Sequence, residues 1–145
     1  MHAKYEHVTD QPDRPSQQSF RSPNNLQQLP ISPLHWWRTR RPQGFGRHDV
    51  KAIRAALLGV EIVNEVDWLR AVTGHPATAI GVAIRQLSAY GMTSPVIDAA
   101  VSAVLCCAIE GNHAARVLIS SALRRREKID PLCQELIMLW RAARF

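Results

Sequence analysis

Two basic runs hold the side chains with most chemistry to offer. Leu34-His35-Trp36-Trp37-Arg38-Thr39-Arg40-Arg41 interleaves two indoles with three guanidiniums, and Arg47 follows closely. Indoles stack on bases and guanidiniums pair with phosphates, the combination used by single-strand nucleic-acid binders. The same residue types anchor protein interfaces, lie at headgroup depth on a membrane, or plug a groove on the chain's own body. The second run is Arg124-Arg125-Arg126-Glu127-Lys128. At the end of a helix its cations complement the negative end of the dipole; beside the first run they would extend a phosphate- or acid-binding patch.

Catalytic sets are thinner. Glu61 and Glu65, with Asp67 nearby, are spaced like an acid–base pair, but no histidine or glycine-rich phosphate loop stands beside them. They read as the solvated face of a long helix. Cys106 and Cys107 fall in the most apolar stretch, where burial raises a thiol's pKa. Cys133 opens the last helix, where the dipole favours thiolate, so it is the cysteine expected to react. A zinc site from Cys106 or Cys107 with Cys133 and His113 lacks a fourth ligand and a familiar spacing. A small-ligand pocket of Asp98, Cys133 and His113 is the remaining enzymatic option. Leu87–Ile97 has the outline of a helix-turn-helix, yet its second helix offers only Ser94, Asp98 and Ser102 among apolar residues, nothing suited to reading base edges. The expectation is no catalytic residue, no metal and no cofactor.

The elements that must position these groups are legible from punctuation. Six of nine prolines fall within the first 42 residues, mixed with Gln, Ser and Asn, and no apolar period survives there. Residues 1–47 therefore read as a disordered basic arm and 48–145 as the folded domain. Asp49 is expected to cap a first helix that runs, kinked near Gly59, as far as Val72. Pro76, Ser94-Pro95, Gly111-Asn112 and Asp130-Pro131 then mark starts at 18–19-residue intervals. Each unit is a helix of about four turns and a short turn, which favours antiparallel neighbours. In Pro95–Glu110, 12 of 16 residues are apolar, so this helix must be covered on all sides and is the central one. The fold class is all-α: a compact bundle of about five antiparallel helices around 95–110, with no strand signal.

Composition bounds the rest. The chain has 145 residues, 46% hydrophobic, with 18 Lys and Arg against 12 Asp and Glu. One domain plus a tail fits that length. No apolar run is long enough to span a bilayer. Three cysteines, two of them adjacent, do not form a disulfide framework, and no secretory leader pattern opens the chain; a cytoplasmic location is the expectation. The functional expectation is a non-enzymatic module that binds a partner protein through a helix groove, the Trp-Arg arm, or both. The alternative is a nucleic-acid binder using residues 34–47. Trp140 and Phe145 near the end add the expectation of a homo-oligomer.

Overall fold

Twelve consecutive residues, Ile97 to Ala108, are buried in α4 (Pro95–Ile109), and the other helices are arranged around them. The structure is a computed structural model that describes residues 31–145; the part of the expected arm in residues 1–30 lies outside them. Four segments pack on α4: α1 (Arg47–Leu58), α3 (Pro76–Ala89), α5 (His113–Arg126) and a 3-10 segment, Pro33–Arg38. The short α2 (Trp68–Val72) lies on α3, and α6 (Leu132–Ala142) lies on α5. The described residues contain no strand. The all-α bundle with a central apolar helix is thus what the chain forms.

The local reasons are those read from the sequence. The Ser94 hydroxyl accepts the Val96 N–H and Pro95 occupies the first helical position of α4. Asn112 Oδ1 accepts the Ala115 N–H at 2.9 Å to start α5, directly after Gly111 adopts the left-handed φ of 98° that ends α4. Asp130 Oδ1 takes the Leu132 N–H ahead of α6. Small residues on α4, namely Ala99, Ala100, Ser102, Ala103 and Ala108, let neighbours close in from several directions. Leu57, Val82, Ile119, Leu123 and Leu136 fill the space between, each contributing about 1.5–3 kcal/mol on burial.

Three expectations are corrected. The first helix stops at Leu58 instead of continuing to Val72. Gly59 caps it, and a turn through Asn64, at φ 63°, leads to α2. Helical propensity is weak here, since Val60, Ile62, Val63 and Val66 are all β-branched. Tertiary contacts then fix the break: Ile62 and Trp68 are buried, the Trp68 indole N–H donates to Val60 O at 2.8 Å, and Glu65 accepts from Arg85 and Gln86 on α3. Second, Asp49 is not the cap of α1. Gly46 holds that position, and Asp49, one turn in, accepts the Gly46 N–H at 2.7 Å. Third, the folded domain begins well before residue 47. Pro33–Arg38 and Pro42–Gly44 are 3-10 turns, and Trp37 is 0% exposed.

Candidate functional site

The Trp-Arg segment is a strap fastened to three helices. Its first turn forms because the Ser32 hydroxyl accepts the Leu34 N–H, Pro33 pre-sets the backbone, and the Thr39 hydroxyl donates to His35 O. Trp37 drops into the bundle, and its indole N–H donates to Asp98 Oδ1 at 2.9 Å. Arg38 holds the same carboxylate in a fork, Nε to Oδ1 at 2.8 Å and Nη2 to Oδ2 at 3.2 Å, with His35 Nε2 at 3.3 Å from Oδ2. Ser102, the other polar residue buried in α4, donates to Leu34 O at 2.9 Å. The two polar side chains inside an otherwise apolar helix thus exist to receive the strap. Further along, Arg40 pairs with Asp49 of α1 at 3.2 Å and lies over the Trp36 and Phe45 rings, 4.5 and 4.8 Å from their centroids. Arg41 pairs with Glu135 of α6 at 2.7 Å.

Most of the aromatic-basic set is therefore committed within the chain. Trp37 and Arg38 are not free to stack on a base or to reach a phosphate, and half-buried Trp36 already carries a guanidinium on its ring. Arg126 turns inward too, donating to Met92 O at 2.8 Å and facing Asp130. Arg47, Arg124, Arg125 and Lys128 remain exposed, with no carboxylate partner among the described residues.

Of these cations, Arg124 and Arg125 lie in the last turn of α5 and Lys128 two residues beyond it, while Arg47 opens α1. Between α5 and α6 runs a groove of about 430 Å³ lined by His113, Arg116, Val117, Ser120, Ser121 and Arg124 on one side and by Trp140 and Arg141 on the other. A second depression of about 490 Å³ shares Ser121 and Arg124 and adds Met92, Arg125 and Lys128. No carboxylate lines either one. Arg116, Ser120 and Arg124 follow at four-residue spacing, so they share one face of α5 along about 12 Å. Arg116 is braced by donating to Ala143 O, with its other nitrogen 3.1 Å from His113 Nδ1. Trp140 is held between Phe45 and Phe145, ring centroids 6.1 and 5.7 Å away, and is buried at the floor of the groove, so exposed Val117 is the apolar side chain the groove offers. Guanidiniums and hydroxyls beside an exposed aliphatic side chain are suited to an anionic group carried on an apolar body.

The remaining candidates are dispersed. Glu65 faces inward to Arg85, whose hydrogen bond holds its carboxyl below the usual range, while Glu61 is exposed; they do not form an acid–base pair. Cys133 is fully buried instead of poised, its thiol pushed up to about 11 by burial and by Asp130. His113 lines the α5/α6 groove, whose walls include neither Asp98 nor Cys133. Among the described residues no three His, Cys, Asp or Glu side chains gather as a metal ion would need. The second half of the helix-turn-helix outline is the buried α4, which has no face to lay in a DNA groove.

Sequence reading picked out Arg124, Arg125 and Lys128 but missed Arg116, Ser120, Ser121 and Arg141. The four-residue spacing along α5 was the available signal for Arg116 and Ser120, and Ser121 adjoins them; Arg141 joins them only because α6 folds back on α5. The Asp98 cluster had no sequence signal beyond an acid in an apolar helix. In comparisons with known proteins, no family model, curated protein or solved structure gave a match to this chain.

Proposed function

We propose that this chain is a non-enzymatic interaction module that binds a partner protein through the groove between α5 and α6. The observation that carries this reading is a cluster of unmatched cations around the groove, a denser set than Arg47, Lys51 and Arg70, which are exposed and unmatched on α1 and α2. Arg38, Arg40, Arg41, Arg54, Arg85 and Arg126 are each matched with a carboxylate, whereas Arg124, Arg125, Lys128 and Arg141 share one surface without any. Unmatched like charges repel one another, and an anionic partner relieves that repulsion while steering encounter. Exposed Val117 adds apolar contact that a bare phosphate chain would not use. With Trp37 and Arg38 occupied by Asp98 and the Trp36 ring covered by Arg40, the paired indoles that motivated the nucleic-acid reading are committed within the chain.

The test is fluorescence anisotropy with two labelled probes: a helical peptide bearing Glu on one face and Leu on the other, and a single-stranded oligonucleotide. Each is titrated with the chain and with its Arg124→Glu/Arg141→Glu variant. The peptide is expected to bind the chain and to lose that binding in the variant. A peptide that does not bind, or that binds both equally, refutes the reading. Oligonucleotide binding abolished by the same substitutions would assign the groove to nucleic acid instead.

A further inference from the structure

We propose that the segment joining α1 to α2 of one copy occupies the α5/α6 groove of a second copy, so that the chain self-assembles head to tail; this rests on the groove reading above. The segment exposes more aliphatic surface than a connection requires. Val66 is 94% exposed, Val63 82%, and Leu58 and Leu69 both 65%, four aliphatic side chains within twelve residues. Such surface on a folded domain marks a contact site.

This segment is also held in shape. Ile62 and Trp68 anchor it from beneath, the Trp68 indole N–H ties back to Val60 O, and the Glu65 carboxylate is fixed by Arg85 and Gln86. The left-handed turn at Asn64 lies between Val63 and Val66. A surface already ordered loses little freedom on docking.

Charge supplies the partner. From Leu58 to Leu69 the chain carries Glu61, Glu65 and Asp67 and no Lys or Arg. Arg85 pairs with Glu65 and lies 3.9 Å from Asp67, so exposed Glu61 is the carboxylate left without a partner among the described residues. On α5, Arg124 and Arg125 are exposed without one, and no acid stands there. Aliphatic tips beside exposed Glu61 match guanidiniums beside exposed Val117. In one chain the acidic surface rides on α1 and α2, which pack with α3 and α4, and the basic groove lies between α5 and α6. Two different patches make a heterologous contact, which propagates into a ring or an open chain.

The experiment is sedimentation velocity of the full chain over a range of concentrations, with Val66→Lys and Arg124→Glu as variants. Both positions are exposed, so folding is not at stake, and circular dichroism checks it. The wild-type mass is expected to rise with concentration above the 16.3 kDa of one chain and to fall back as salt increases. Each variant alone is expected to stay at the single-chain mass. An equimolar mixture of the two is expected to give a species of twice that mass, because one supplies an intact groove and the other an intact acidic segment. A wild-type chain that stays monomeric, assembly that survives either substitution, or a mixture that stays monomeric overturns the proposal. If the acidic helical peptide still binds the groove of a monomeric wild-type chain, this occupant falls and the groove reading stands; if the peptide also fails, the groove reading falls with it.

Discussion

Replacing Asp98 tests whether one carboxylate holds the strap onto the bundle. Asp98→Ala removes the acceptor for the Trp37 indole N–H and for two Arg38 nitrogens. The indole is the costly loss: Trp37 is fully buried, and an unsatisfied buried N–H costs about 1–3 kcal/mol. Breaking a fully buried ion pair costs about 3–5 kcal/mol, but the Arg38 side chain is 18% exposed and can turn toward water, so its share is reduced to about 1 kcal/mol. With about 2 kcal/mol from the indole, the expected loss is about 3 kcal/mol. At this chain length that corresponds to a Tm lower by about 12 °C. Asp98→Asn keeps one acceptor for the indole and should lose about a third as much. The assay is thermal unfolding followed by far-UV circular dichroism, run as a double-mutant cycle with Arg38→Met, for which a coupling of about 1 kcal/mol is expected. Detachment of the strap should also appear as new proteolytic cleavage within residues 31–46. A Tm change under about 3 °C for Asp98→Ala, or additive single-variant effects, would refute the assignment of Asp98 as the anchor.

Three further outcomes are expected. Burial pushes the Asp49 carboxyl up, but the Gly46 N–H and Arg40 outweigh it and leave the group below its usual range; in Glu65 the Arg85 hydrogen bond outweighs burial to the same end. Groups lowered in the folded state contribute stability that is complete above the ordinary carboxylate range and is lost as pH falls through their folded values, so Tm should be flat above about pH 5 and decline below about pH 4. Asp49→Asn/Glu65→Gln should lower Tm at neutral pH and flatten that decline; an unchanged slope would show that these two groups do not set it. Trp37→Phe should destabilise more than Trp140→Phe by about 1 kcal/mol, because the Trp37 N–H has a partner to lose and the buried Trp140 Nε1 has none among the described residues; equal losses in urea unfolding would contradict this. Burial pushes the Cys106 thiol up to about 12 and those of Cys107 and Cys133 to about 11, so an aromatic disulfide reagent at pH 8 should label none of them until denaturant is added. Native-state labelling of Cys133 at the rate of a free thiol would count against the packing at the start of α6.

What the sequence determined by itself is local. Ser94-Pro95, Gly111-Asn112 and Asp130-Pro131 act through bonds between neighbours, so they could be read without knowing the fold, and the start of α4 and the turn into α5 fell where they indicate. The burial of α4 was equally legible, because a helix apolar on every side has no face to give to water. The break after Leu58 was not, since the apolar spacing of residues 60–72 fits a helix, and the competing interactions, Glu65 to Arg85 and Ile62 in the core, exist only once α3 is in place. The strap is the clearest case of what tertiary structure decided. Proline-rich composition and missing periodicity made residues 31–46 look unstructured, yet Trp37 and Asp98 meet across 61 positions in the chain. The basic groove was half legible for the same reason: Arg116, Ser120 and Arg124 share a helix face by spacing alone, whereas Arg141 and Trp140 reach it only because α6 returns along α5. Backbone hydrogen bonds and caps depend on residues a few positions away, but a buried carboxylate or a groove wall depends on which distant segment arrives beside it.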